Sequence, residues 1–371
     1  METKIKNSEL LNEILGALEE NHINLYHDIQ KNAVLKHINS IKNIDDLSDM
    51  QFDYEMLKIF ALFKDAHTIY NIDYKPIDKY ILLLNNKFYI RDNGKFNEVA
   101  KFGKIDSKKM YLMLKEICCY ETDAWLRVSL IMNVSNMTIH KMIGSTDKSG
   151  KLSVTTTDGK TIDVGVDLEK LTPPPFYNYS ILPENILYFK FRSFNERKNY
   201  PMAEVVSDMK KDIKNKNIFT YILDLRNNTG GNSEVLNPFQ NFVKENNLKG
   251  VVLINNKTFS SGRIAVERFK RNFNAPIIGE ETGGAATSYG YNYPLKVGNK
   301  TFSASKRFWD FSKTFNGDKG SVKPDIPVTL TLKDYEGTSD VILNTGVDYI
   351  KNHYIKTINN EQNSQTKTMW L

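Results

Sequence analysis

The sequence predicts an α/β fold in which helices cover a mainly parallel sheet. From residue 181 onward, short apolar runs alternate with stretches of helical length and spacing. The strand candidates are 186–191, 219–225, 250–254 and 276–278, and the helix candidates are 200–215, 234–247 and 261–273. This alternation is typical of strand–helix–strand units, whose crossover helices bury the sheet. We therefore expect an α/β core over residues 173–355, followed by a polar tail at 356–371 that frays.

Two different regions precede this core. Residues 1–75 have apolar side chains at helical spacing, such as Leu11, Ile14 and Leu18, and are predicted to form a helical domain. Residues 76–104 switch to short apolar runs separated by Asn-Asn and Asn-Gly, which predicts strands and hairpins.

A third block, residues 105–172, is predicted to combine two helices with a hairpin around Asp158-Gly159. It ends in Thr172-Pro173-Pro174-Pro175, which predicts a linker or rigid joint before the core.

Composition excludes several classes of function. The chain has 371 residues, enough for a large core and more than one domain, and its net charge of +6 is spread along the whole length. Because no block of Lys and Arg alternates with aromatics, we expect no nucleic-acid partner. The only cysteines, Cys118 and Cys119, are adjacent, so they provide neither a disulfide framework nor a metal site. No metal or organic cofactor is implied.

The sequence also contains no membrane signal. The N-terminus continues into polar residues, and no apolar run is long enough to span a bilayer. The chain as given is expected to be cytoplasmic, or of secreted or envelope origin if a leader was removed.

Two glycine-flanked turns are the candidate chemical machinery. The first turn ends an apolar strand and runs from Asp224 to Gly231, closing with Thr229-Gly230-Gly231. The second turn, Thr258 to Arg263, places Ser260 and Ser261 where a strand gives way to a helix. A serine in the positive field of a helix start, facing glycine N–H groups, has the groups that acyl transfer requires.

Each turn also has a structural interpretation. Serine is among the commonest helix N-caps, and the local sequence does not choose between Ser260 and Ser261 as nucleophile. Asp224 and Arg226 can form an ion pair that only holds the turn. Among the histidines, His67 has the more favourable setting for a general base, since it follows an apolar helix where the chain becomes extended.

Taken together, these segments resemble the tail-specific, or C-terminal processing, peptidases and their tricorn-core and retinoid-binding-repeat relatives. The resemblance covers roughly residues 50–350 and keeps the order of all segments. The matching segments are Asp65-Ala66-His67-Thr68, Ile186–Phe191, Asp224–Gly231, Thr258–Arg263, Gly279–Gly284 and Gly320–Asp325. Singly these motifs are weak evidence, but several in the same order are strong.

The resemblance implies a crotonase-like, ClpP-like core with a PDZ-like α+β insert at residues 105–172. It selects Ser260 as nucleophile, with Ser261 N–H and either Gly230 or Gly231 as oxyanion donors. Because Gly284-Ala285-Ala286-Thr287 offers no lysine, it favours the histidine branch of the family, with His67 as the base. The implied substrate is a peptide or protein, and no oligomeric state follows.

Two positions depart from the family pattern. Asp318 stands at the place of the acid that orients the base, where relatives often have glutamate, and can equally be a turn residue beside Asn316-Gly317. Arg263 stands where relatives usually carry an acid. It either weakens activity through the helix dipole or binds a substrate carboxylate.

Two rival functions remain at this stage. One is a catalytically silent relative that binds peptides or apolar ligands. The other is a different acyl transfer, such as an esterase or a peptide-tailoring enzyme, for which the same nucleophile, base and oxyanion donors would serve.

Overall fold

The computed structural model describes residues 5–171 and 176–356, arranged as two compact units. One unit comprises Met1–Thr172 and Thr287–Asp310, and the other comprises Pro173–Ala286 and Phe311–Leu371. The predicted joint at 172–175 lies outside the described residues, as does the predicted tail except for its first residue. Within the described residues, no helix has both the length and the apolar character needed to cross a bilayer.

The helices, in chain order, are α1 (Asn7–Asn21), α2 (Lys31–Asn39), α3 (Asp49–Leu62), α4 (Ser107–Lys115), α5 (Asp123–Val134), α6 (Met137–Met142), α7 (Met202–Lys216), α8 (Asn237–Glu245), α9 (Ser261–Phe273), α10 (Leu332–Glu336) and α11 (Val341–Ile350). The strands are β1 (Ile81–Leu84), β2 (Lys87–Asp92), β3 (Lys95–Phe102), β4 (Ile105–Asp106), β5 (Leu152–Thr156), β6 (Thr161–Val164), β7 (Tyr177–Leu182), β8 (Ile186–Phe191), β9 (Thr220–Asp224), β10 (Lys249–Ile254), β11 (Ile277–Gly279), β12 (Thr287–Val297), β13 (Lys300–Asp310) and β14 (Ile326–Pro327).

The second unit is built on a six-stranded sheet in the order β14-β11-β10-β9-β8-β7. All neighbours are parallel except β7, which pairs antiparallel with β8. Side chains alternate between the two faces, so that Tyr221 and Leu223 of β9 join the core with α7, α8 and α9. Ile222 points to the opposite face, where Ile342 and Ile350 of α11 cover it. The sheet is thus buried on both faces, which explains its nearly continuous apolar strands.

The first unit combines helices with an antiparallel sheet, β1-β2-β3-β5-β6, in which β4 also pairs with β3. The long hairpin of β12 and β13 belongs to this unit and contributes Phe302 and Ala304 to a core that also contains α1 and α3. Helix α3 begins at a capping box in which Ser48 and Gln51 satisfy each other's backbone N–H groups.

The predicted mixed α/β fold is confirmed, and each predicted strand and helix of the core corresponds to an observed element. The hairpin around Asp158-Gly159 is present as β5 and β6. The crotonase-like and PDZ-like labels and the finer domain boundaries stay predictions.

Candidate active site

The predicted motifs of the second unit meet at the carboxyl edge of its parallel sheet. The turn at 225–231 follows β9, the turn at 255–260 follows β10, and the turn at 280–284 follows β11. Open parallel sheets place their ligand sites at this edge, where successive loops converge.

Hydrogen bonds fix the turn that precedes helix α9. The Thr258 hydroxyl donates to the Leu225 carbonyl over 2.9 Å and accepts from the N–H of Asn255. The Phe259 N–H donates to the carbonyl of Asn228, which joins this turn to the one after β9. Both turns are therefore held in one arrangement by buried groups.

Ser260 has a strained backbone at the start of α9. Its φ of 51° and ψ of −122° lie outside the regions that non-glycine residues favour. It occupies the N-cap position, yet its side chain makes no capping hydrogen bond. The structural interpretation of Ser260 as an ordinary N-cap therefore fails, and a strained strand-to-helix turn is a known way to present a nucleophilic serine.

Ser261 has a different role. Its hydroxyl donates to the Gly231 carbonyl over 2.5 Å, so this side chain ties the helix start to the glycine turn. None of the described residues accepts a hydrogen bond from the backbone N–H of Ser261.

The glycine turn lies directly against Ser260. A Cβ atom on Gly230 would be 2.7 Å from the Cβ and 3.1 Å from the Oγ of Ser260, and 3.0 Å from the Ser261 nitrogen. Only glycine leaves this space open, and its φ of +108° is strained for any other residue.

The two glycines differ in their N–H groups. The Gly230 N–H donates to the side-chain oxygen of Asn228, whose amide nitrogen in turn donates to the Phe191 carbonyl. For Gly231, by contrast, no acceptor of its N–H is found among the described residues. Of the two predicted oxyanion donors, Gly231 is the one whose N–H group is not already used within the turn.

Arg263 is almost fully buried rather than presented to solvent. Its side chain is 1% exposed, and its guanidinium lies 4.7 Å from the centre of the Phe311 ring. Gly284 packs against it, since a Cβ there would be 3.2 Å from the Cβ of Arg263 and 3.4 Å from the Ser260 nitrogen. In this position Arg263 supports the turn behind the candidate nucleophile.

Asp318 lies in an exposed turn of the same unit. Its carboxylate accepts from the Gly320 N–H over 3.0 Å and pairs with Lys323 at 3.2 Å, while 40% of its side chain is exposed. These two contacts hold the pKa of Asp318 below its usual range. The contacts are those expected of a turn residue.

Asp224 is the centre of a buried ion network. Arg226 donates to both of its oxygens and also to Asp340, while Arg192 and the Tyr188 hydroxyl donate to Oδ2. Burial alone would raise the pKa of Asp224, but the two guanidinium groups outweigh it and hold the pKa at about 2. The predicted structural ion pair of Asp224 and Arg226 is confirmed.

His67 belongs to the first unit. Its backbone N–H donates to Asp65 Oδ1 over 2.8 Å, and its carbonyl accepts from the Ser303 hydroxyl over 2.7 Å. The side chain is 5% exposed, and Nδ1 is sealed from solvent. The predicted nucleophile and the predicted base are thus supplied by different units of the chain.

Asp65 is a buried anion next to this histidine. Its Oδ2 accepts from the Thr68 hydroxyl over 2.6 Å and from His22 Nε2 over 2.8 Å. His22 Nδ1 accepts from the Asn24 N–H, which leaves the ring proton on Nε2. Burial would raise the pKa of Asp65, but the hydrogen bond from His22 and the other donors hold it below its usual range.

Glu121 completes a cluster that sequence reasoning missed. One carboxylate oxygen each of Asp65 and Glu121 and one ring nitrogen of His67 lie within 4.8 Å of one another. The spacing would suit a metal ion, but both Asp65 oxygens already accept hydrogen bonds from the His67 N–H, Thr68 and His22. Asp65 could have been found from its place in the Asp65–Thr68 motif, whereas Glu121 carries no local signal.

Comparison with known sequences agrees with this architecture. Residues 185–246 and 237–328 match the model of peptidase family S41, and they include both glycine-flanked turns. Over residues 185–328 the chain is therefore similar to peptidase family S41. The match indicates that the chain is a serine peptidase, a hydrolase of peptide bonds. A search of the curated proteins finds no match.

Solved structures share the fold of this chain. Mature CPAF in complex with lactacystin aligns with a TM-score of 0.60 at 11% identity, covering 93% of this chain and 99% of that one. The photosystem II D1 C-terminal processing protease aligns with a TM-score of 0.50 at 13% identity, covering 91% and 97%. The predicted resemblance to C-terminal processing peptidases is therefore confirmed by the match over residues 185–328 and by the shared fold.

Proposed function

We propose that this chain is a serine endopeptidase in which Ser260 is the nucleophile and His67 the general base. The observation that carries the proposal is the strained, non-capping conformation of Ser260 beside the open face of Gly230. A strained strand-to-helix turn with a non-capping serine is the arrangement in which a nucleophilic hydroxyl is presented, whereas an ordinary N-cap has an extended backbone and caps the helix.

The chemistry follows the acyl-transfer pattern. Ser260 Oγ attacks the scissile carbonyl carbon while its proton passes to the His67 ring, and the substrate oxygen becomes an oxyanion. The N–H groups of Ser261 and Gly231 donate to that oxyanion. His67 then returns the proton to the leaving amine, and water releases the acyl group from Ser260 by the reverse sequence. The helix start of α9 stabilises the developing negative charge.

Substrate binding is proposed to be extended. A peptide that adds to a sheet edge is held by backbone hydrogen bonds, and side-chain pockets then select its sequence. The proposal gives Arg263 and Asp318 no direct contact with substrate, because Arg263 is buried against Phe311 and Asp318 is bonded within its own turn.

The test is the intact mass after treatment with a fluorophosphonate, on the wild-type chain beside Ser260→Ala, Ser261→Ala and His67→Gln. We expect one adduct on wild type and on Ser261→Ala and none on Ser260→Ala. His67→Gln should label at least about a hundredfold more slowly, because the base is lost. Thermal unfolding of each variant controls for folding.

An adduct that persists on Ser260→Ala would reject the proposed nucleophile. Absence of any adduct on native wild type would instead favour a relative that only binds peptides or apolar ligands. A panel of peptide, ester and thioester substrates then separates peptidase from other acyl-transfer activity, and peptide turnover is expected.

A further inference from the structure

The loop before helix α5 places a carboxylate beside His67. Glu121 directly precedes Thr122, whose hydroxyl caps α5 by accepting from the Trp125 N–H. On the other side of Glu121, the Tyr120 hydroxyl accepts from Lys64, whose ammonium also lies 4.3 Å from the centre of the Tyr120 ring. Both neighbours of Glu121 are therefore anchored, which fixes the loop next to the segment that contains His67.

Both oxygens of Glu121 are sealed from solvent. A carboxylate in such surroundings interacts with a neighbouring charge far more strongly than one in water. At a distance below 4.8 Å from a His67 ring nitrogen, it is close enough to stabilise an imidazolium.

Asp65 is already occupied by other donors. One of its oxygens holds the His67 backbone N–H, and the other accepts from Thr68 and His22. Asp65 therefore fixes the backbone position of His67. Glu121 is the second acid of the cluster, and one of its oxygens lies within 4.8 Å of a His67 ring nitrogen.

We infer that Glu121 is the positioning carboxylate of His67, in the role that the family pattern would give to Asp318. The inference rests on the proposed function, since it concerns the same base. When Ser260 passes its proton to His67, Glu121 stabilises the charged ring and keeps its orientation. Asp318 is less suited to that role because its side chain is 40% exposed and already pairs with Lys323.

Other ionisable groups lie around the cluster, and each has its own contacts. His22 reaches the cluster through Asp65, and the Cys119 thiol lies near the same carboxylate. Burial raises the pKa of Cys119 above its usual range and that of Cys118 to about 12, so both thiols are neutral at physiological pH. The Lys64 ammonium is directed to Tyr120. Asp65 and Glu121 are the carboxylates that lie within 4.8 Å of a His67 ring nitrogen in this cluster.

The experiment measures the rate of fluorophosphonate labelling of Ser260 against pH for wild type, Glu121→Gln and Glu121→Asp, with EDTA in all buffers. The matched control is Asp123→Asn, which removes an exposed carboxylate two residues away. Glu121→Gln should label about tenfold to a thousandfold more slowly at neutral pH. The acidic limb of its pH–rate profile should move to lower pH by about one unit. The reason is that loss of the Glu121 charge makes the His67 imidazolium less stable.

Glu121→Asp should restore part of the rate, and Asp123→Asn should follow wild type. A profile of Glu121→Gln that coincides with wild type would overturn the inference, as would a shift produced by Asp318→Asn instead. His67→Gln distinguishes an error in the proposed base from an error in the role of Glu121. If it labels like wild type, the proposed base is wrong. If it is slow while Glu121→Gln is normal, only the role of Glu121 is wrong.

A second measurement does not depend on turnover. In chains with ¹⁵N-labelled histidine, the ring signal that His67→Gln removes belongs to His67, and its titration can be followed directly. We expect the midpoint of this signal to fall in Glu121→Gln and to stay unchanged in Asp123→Asn. An unchanged midpoint in both would contradict the inference even if the labelling rate had changed.

Discussion

At the scale of single residues, the backbone of Ser260 is the most informative feature of the chain. A positive φ at a serine costs about 1–3 kcal/mol unless the surroundings enforce it. Here they do: Thr258 fixes the turn before Ser260, and Gly284 packs against its nitrogen. Glycine would adopt the same conformation with less strain, so the presence of serine indicates that the hydroxyl is needed.

This strain can be measured by comparing two substitutions at one position. Ser260→Ala keeps a Cβ at the strained φ, whereas Ser260→Gly removes it. We therefore expect Ser260→Gly to have a free energy of unfolding about 1 kcal/mol higher than Ser260→Ala in urea titrations, although neither is labelled by a fluorophosphonate. Equal stability of the two variants would mean that the turn stores no strain at this residue.

At the scale of elements, the site depends on how closely two turns approach each other. The turn after β9 and the turn after β10 are joined by backbone and side-chain hydrogen bonds, and Gly230 lies where they touch. Helix α9 adds the dipole and the N–H of Ser261. A change that separates the turns should therefore affect the proposed nucleophile and the proposed oxyanion donors together.

Gly230→Ala tests this approach. Its methyl group would lie 2.7 Å from the Cβ of Ser260, so the turns must move apart, and φ of +108° adds strain. We expect a loss of more than about 1 kcal/mol in unfolding free energy and at least about a hundredfold slower labelling of Ser260. Gly317→Ala is the control, since it also replaces a glycine of positive φ in this unit but nothing lies near its Cβ. It should lose stability without a specific loss of labelling.

Local patterns predicted the elements of the core, because its strands are short apolar runs and its helices have clear apolar spacing. They did not predict the hairpin of β12 and β13, which belongs to the first unit despite its late position. Its exposed positions include the aromatic residues Tyr291, Tyr293 and Phe308, so apolar side chains do not mark one buried face. Ser260 could be proposed through the family resemblance, with either Gly230 or Gly231 as oxyanion donor, because their motifs are contiguous. Glu121 could not, since tertiary packing alone brings it near His67.

At the scale of the whole molecule, the described part of each unit contains a buried aspartate whose ionised form the fold stabilises. In the second unit this is Asp224, held by Arg226 and Arg192 at the carboxyl end of the central strands. In the first unit it is Asp65, held by His22 and Thr68. Because both carboxylates have a lowered pKa, protonation should weaken the two units over a similar range of pH.

The pH dependence of unfolding tests this conclusion. The folded-state pKa of Asp224, about 2, lies below its ordinary value of 3.8, so its contribution is present above the ordinary value and is lost as pH falls toward 2. We expect the unfolding free energy in urea titrations to be nearly level from about pH 7 to pH 5 and to fall below about pH 4, with Asp224 accounting for about 2 kcal/mol.

Asp224→Asn should start from lower stability, because it leaves Arg226 and Arg192 without their shared anion, and its stability should then fall less steeply with decreasing pH. Asp123→Asn, which removes an exposed carboxylate, should reproduce the wild-type curve. If Asp224→Asn and wild type instead fell in parallel between pH 4 and pH 2, the ion network would not be the source of acid sensitivity in the second unit.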